Sequence, residues 1–160
     1  MSTVTDARVI VAERLADAGL LSDRLIPVQN GGKASLVRHN DRRNRKSSVD
    51  AISGNYGVYA GANPEGDWWL VIFDVDIYEG AAPDTIDNLP NTLTCASAHT
   101  DGDSNGHLLF RIKGRDVAQS IEAFYGAKNP SLSWGEIRVQ NQYVVGPGSQ
   151  LDGCDKEWCD

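Results

Sequence analysis

Two carboxylates one residue apart, Asp74 and Asp76, end the apolar run in the stretch LVIFDVD. Side chains in a strand alternate faces, so both project to one side. Like charges that close repel unless one takes a proton or a cation lies between them. A divalent metal is the first candidate partner. Glu136, in GEIR, supplies a third hard oxygen donor, a set suited to Mg2+ or Mn2+. His107, at the head of HLLFRI, is a candidate donor to a phosphate oxygen. So is Arg138, two residues past Glu136 and on the same side of its strand. Two bound cations would let an acidic protein hold a nucleoside triphosphate. Taken singly, each residue has a plain structural reading. Asp74 and Asp76 are then a solvated strand end, His107 a packed imidazole and Glu136 an exposed strand residue.

The elements that must position these groups follow from periodicity. Residues 6–20 carry apolar positions at helical spacing, ending near Gly19. LIPVQNGGKAS reads as a short extended piece and a Gly-Gly turn presenting Lys33. NYGVYAG alternates as a strand, and WWLVIFDVD, bulky on both faces, reads as sheet interior. DTIDNL reads as a short helix, TLTCASAHT as a strand and TDGDSNG as a turn-rich loop before the His107 strand. RDVAQSIEAFYG reads as a helix with Val117, Ile121 and Phe124 on one face, and SWGEIRVQ and QYVVGPGS as two strands meeting in a hairpin around QNQ. Helices flank strands without regular alternation, so the expected class is α+β with a mixed or antiparallel central sheet. Functional groups gather where strand ends meet loops, which brings Ser149 of GPGS into the candidate set.

Composition bounds the rest. The chain has 160 residues, 41% hydrophobic and 23% charged, an ordinary balance for one globular domain. Its apolar runs fall short of the roughly 20 residues of a membrane helix. The N-terminal pattern carries charges throughout, which reads as an amphipathic helix rather than a signal peptide; the expected location is the cytosol. The net charge of −7 and scarcity of Lys suit a high-salt cytoplasm and disfavour phosphate binding, except locally. The local exception is RHNDRRNRK, with Arg38, Arg42, Arg43, Arg45 and Lys46 as candidate template contacts or a solvated loop. Trp68, Trp69, Tyr56 and Tyr59 read as packing residues, and Cys95 as a small buried hydrophobe. Cys154 and Cys159, in GCDKEWCD, offer half of a tetrahedral Zn2+ site, so residues 154–160 are a candidate start of a zinc segment if the chain continues.

The ordered set GGK, strand-DVD, T-x(6)-H-L-L-F, E-I-R and Y-V-V-G-P-G-S resembles the N-terminal catalytic domain of bifunctional DNA primase/polymerases, Prim-Pol, in the archaeo-eukaryotic primase superfamily. The resemblance runs from about Ile26 to Gln150. It implies an RRM-like core and a catalytic domain forming the N-terminal part of a longer replication protein, with a fused or separate helicase as partner. Asp74, Asp76 and Glu136 would hold the catalytic metals, with Glu136 where many members have Asp. His107 and Arg138 would contact the incoming nucleotide, while Lys33 and Ser149 would line the site. Ser104 and Asn105 would hydrogen-bond to phosphate. Members often show S-x-H before the strand; here Asn105 stands two residues before His107, in an acidic loop. The composition points to a halophilic archaeon, its virus or its plasmid.

The implied chemistry is template-dependent nucleotidyl transfer by two metal ions on single-stranded DNA, with nucleoside triphosphates as substrates. Two alternatives use the same residues: an inactive nucleic-acid-binding module of replication initiation, and another D-x-D enzyme, a nuclease or nucleotide-sugar transferase.

Overall fold

The computed structural model describes residues 9, 13, 17, 23–48, 51–63, 68–75, 93–96, 106–146, 149–151 and 154–155. Within the expected N-terminal helix, Val9, Glu13 and Asp17 are helical. Two expectations, the DTIDNL helix and the TDGDSNG loop up to residue 105, lie outside the described residues. No helix among the described residues is long and apolar enough to cross a membrane.

The strands are β1 (Leu25–Pro27), β2 (Tyr56–Ala62), β3 (Trp68–Val75), β4 (Leu93–Ala96), β5 (Gly106–Lys113), β6 (Ser131–Leu132), β7 (Gly135–Arg138), β8 (Gln142–Val145), β9 (Gln150–Leu151) and β10 (Cys154–Asp155), with helix α1 at Val117–Tyr125. The first eight form one sheet, and β9 and β10 form a separate pair. Every pairing between these strands is antiparallel. The architecture is thus an antiparallel sheet with one continuous described helix, consistent with α+β.

β3 is the centre, and its period of two sorts the core. Trp68, Leu70 and Ile72 enter one cluster with Tyr56, Val58, Leu109 and Val144. Val71 and Val75, with the half-buried Trp69 and Phe73, enter the other with Trp134, Ile137 and Val139. Leu70, Val71 and Ile72 are all fully buried, and each such side chain contributes about 1.5–3 kcal/mol. A strand apolar on both faces needs cover on both. α1 covers the second face through Val117, Ala118 and Ile121. Phe124, expected on that same face, is instead 82% exposed and stacks edge-on against Tyr125. The helix packs through its N-terminal half and stops at Gly126, whose φ of 78° is the left-handed cap glycine permits.

The expected QNQ hairpin does not form. β7 pairs with β3 and β6, whereas β8 pairs with β2. β2 and β3 pair with each other only at Gly61–Leu70 and Ala62–Trp69. Beyond that point β3 takes β7 as neighbour and β2 takes β8. The connection therefore crosses from one strand's edge to the other's, turning at Asn141 with φ 52°, a conformation Asn tolerates. Asn129 satisfies the backbone freed there: its Oδ1 accepts from the amides of Val139 and Gln140 at 2.8 and 2.9 Å, and its Nδ2 donates to the Gln140 carbonyl.

Candidate functional site

Asp74 is the next residue on the face that carries Trp68, Leu70 and Ile72, so the carboxylate stands where that apolar row ends. Its cross-strand partners are His107 on β5 and Glu136 on β7. Directly opposed residues of antiparallel strands share a face, with Cβ atoms roughly 4.5–5.5 Å apart. Three candidate residues, spread over more than sixty positions of sequence, therefore form one transverse row across three strands. Backbone register extends the row to Cys95 on β4 and Ser131 on β6. Alternation makes this work: Leu108, Ile137 and Val139 pack against the second cluster, which leaves the other face to His107, Glu136 and Arg138.

The contacts are direct. His107 Nε2 lies 3.2 Å from Asp74 Oδ1. Arg138 donates to Asp74 Oδ2 from Nε at 3.2 Å and from Nη2 at 2.9 Å. The same Nη2 is 3.1 Å from Glu136 Oε2, and Nη1 donates to Gln142 Oε1 at 3.0 Å. Side-chain exposure rises along the row, from 8% for His107 through 25% for Asp74 to 45% for Glu136, so the site opens on the β7 side. Burial pushes the Asp74 carboxyl upward. The hydrogen bonds and charges of His107 and Arg138 outweigh that and hold it well below the usual carboxylate range.

Among the described residues no three His, Cys, Asp or Glu side chains form a group that could hold a metal. Asp76 lies outside those residues, and Arg138 occupies the space between Asp74 and Glu136 that a cation would share. Gln142 is a member of the site that sequence reasoning missed. Its place follows from the pairing of β7 with β3 and of β8 with β2.

Other candidates stand elsewhere. Ser149 is 1% exposed, and its hydroxyl is engaged by Tyr56, accepting from the amide at 3.2 Å and donating to the carbonyl at 3.4 Å. The hydroxyl thus ties residue 149 to the start of β2. Lys33 is exposed after the expected Gly-Gly turn, its carbonyl accepting from the Tyr143 hydroxyl at 2.7 Å, and no hydrogen bond or ion pair joins it to the row. Ser104, Asn105 and Cys159 lie outside the described residues, and Cys154 is described only as backbone of β10.

The basic run folds as a loop around a 3-10 turn at Arg42–Asn44, capped by Asp41. Arg43 pairs with Asp41, which holds that carboxyl down to about 2, and Arg42 pairs with Asp23. Arg38 and Lys46 are exposed. Arg45 donates to the carbonyls of Asp23 and His39 at 2.8 and 3.0 Å and lies 4.0 Å from the Tyr59 ring centroid. His39 bonds the Asn141 carbonyl and meets Tyr143 edge-on.

Residues 12–160 match the family described as bifunctional DNA primase/polymerase, N-terminal (Prim-Pol). Comparisons with curated proteins and with solved structures give no match. With nearly the whole chain covered by that match, this protein belongs to the Prim-Pol family of bifunctional DNA primase/polymerase N-terminal domains.

Proposed function

We propose that the domain catalyses template-directed nucleotidyl transfer, as a DNA primase/polymerase, from the His107–Asp74–Glu136 row. One observation carries the reading. Residues from β5, β3 and β7 meet as direct cross-strand neighbours, with Arg138 on both carboxylates. Family membership supports the same class of chemistry.

The donor set fits a hard divalent cation. Asp74 is kept ionised, Glu136 faces the same guanidinium from the open side, and both offer oxygen. Asp74, Asp76 and Glu136 would hold two Mg2+ or Mn2+ ions. When bound there, such ions would supply Lewis-acid activation of the attacking hydroxyl and charge neutralisation at the pyrophosphate. The protein's own groups act by position and charge, without a covalent enzyme intermediate. His107, buried and fixed against Asp74, orients that carboxylate and presents its ring to phosphate. Arg138 neutralises the two carboxylates. Its planar fork fits phosphate as well as carboxylate, so an incoming triphosphate competes for it. Single-stranded DNA is the template in this reading.

The test is incorporation of labelled ribo- and deoxynucleotides on primed and unprimed templates with Mn2+. The Asp74→Asn/Asp76→Asn double variant should lose incorporation while keeping its circular dichroism spectrum. Full activity in that variant would end the proposal. Incorporation without template would point to another D-x-D transferase.

A further inference from the structure

We propose that the cleft between the 38–46 loop and the Gln140–Asn141 turn is a second nucleic-acid site, which grips one nucleotide unit of a single strand. The identity of that strand as template rests on the function proposed above; the site itself does not. The cleft has a volume of about 300 Å3, and Arg42, Arg45, Tyr59, Trp69, Gln140 and Asn141 line it. That is the lower end of small-molecule sites, enough for a single nucleotide unit rather than a folded ligand.

Charge supports a polyanion. The chain has a net charge of −7, yet residues 38–46 bring five cations and one carboxylate. Arg42 and Arg43 are matched by Asp23 and Asp41. Arg45 is not matched by a carboxylate among the described residues, since its guanidinium donates to the carbonyls of Asp23, His39 and Asn40. Those carbonyls hold it in place over Tyr59, so its positive charge is pre-positioned.

A second cation lies near the same ring. Arg24 is 2% exposed and 5.9 Å from the Tyr59 centroid. Its Nη1 donates to the carbonyls of Tyr59 and of Gly61, a cleft residue, while Nε and Nη2 have no partner among the described residues. Two guanidinium groups sharing one phenol ring repel, and an anion entering the cleft relieves that repulsion. The remaining lining supplies what a base needs. Trp69 offers an aromatic surface, and the amides of Asn40, Gln140 and Asn141 offer donors and acceptors. The Tyr59 hydroxyl, 2.6 Å from Asn141 Oδ1, fixes that amide's orientation.

Position ties the cleft to the carboxylate row. Trp69 precedes Asp74 by five residues on β3, about 17 Å along the strand, and packs on the opposite face, whereas Gln140 shares its face with Arg138. Gln140 and Asn141 line the cleft, while the next residue, Gln142 at the head of β8, accepts from Arg138.

The test is fluorescence anisotropy of a labelled oligothymidylate with the whole chain, in EDTA. Arg42→Gln/Arg45→Gln should weaken binding about tenfold and lower the slope of log K against log salt by about one to two. Arg45→Lys should recover part of the loss. Asp74→Asn should bind the oligonucleotide as wild type does, even though it abolishes incorporation, so the two proposals fail separately. An oligothymidylate carrying 5-iodouracil should crosslink in the wild-type protein to the peptides holding Tyr59 or Trp69, which does not depend on any variant folding. Unchanged affinity in the natively folded double variant, crosslinks only elsewhere, or equal competition by free thymidine monophosphate would each overturn the proposal.

Discussion

Arg138 and Asp74 form a two-point contact, Nε at 3.2 Å and Nη2 at 2.9 Å from the same carboxylate oxygen, and that Nη2 also reaches Glu136 at 3.1 Å. One guanidinium thus neutralises two carboxylates that would otherwise repel across adjacent strands. Replacing it should have opposite effects on two ligands. Arg138→Gln removes a competing positive charge, so Mn2+ should bind about tenfold tighter, a change of about 1.4 kcal/mol. If Arg138 contacts phosphate as proposed, the same variant should raise the nucleotide KM about tenfold or more. Electron paramagnetic resonance titration of free Mn2+ checks the first, and steady-state incorporation the second. Weaker Mn2+ binding would mean that Arg138 builds the cation site instead of occupying it.

Acid should unfold the domain partly through Asp74. Its pKa is depressed in the folded state from the ordinary 3.8 by His107 and Arg138, which overcome its burial. A depressed carboxyl stabilises the fold fully above the unfolded value, and the contribution is lost as pH falls through the folded value. Thermal stability should therefore be flat in this respect above about pH 5 and decline below about pH 4. Asp74→Asn should flatten that acid limb. An identical limb in the variant would assign it to other carboxylates.

Tyr56 is fully buried, and its ring lies so close to Gly146 that a Cβ there would stand 2.2 Å from Cε2. The Gly146 amide also donates to the Tyr56 carbonyl at 2.7 Å, so the backbone cannot easily move away. Gly146→Ala should destabilise the domain by about 1–3 kcal/mol through overpacking. Urea unfolding, with an unchanged m-value, is the measurement.

Asn129 serves the crossing between β7 and β8. Asn129→Ala would leave the amides of Val139 and Gln140 without their acceptor, at a cost of about 1–3 kcal/mol. It should also loosen the turn that carries Gln142, raising the nucleotide KM along with the loss of stability. Stability lost with KM unchanged would show that the turn does not set the position of Arg138.

The order of motifs, the alternation of β3 and the placement of His107, Asp74, Glu136 and Arg138 on polar strand positions were legible in the amino-acid sequence. Local periodicity states which face each side chain takes, and that is enough to predict a row once the strands are neighbours. Which strands become neighbours is a long-range choice that no local pattern encodes. QNQ has the composition of a hairpin turn, yet the flanking strands pair with β3 and β2, because those two strands need partners where they stop pairing with each other. That choice brings Gln142 to Arg138 and gathers Arg45, Tyr59 and Asn141 around one cleft. It also leaves Ser149 in the wall and Lys33 apart from the row. Sequence alone determined the chemistry available at each strand position. Only the tertiary structure decided which of those groups meet, because contact depends on pairing between distant segments and on the packing that rewards it.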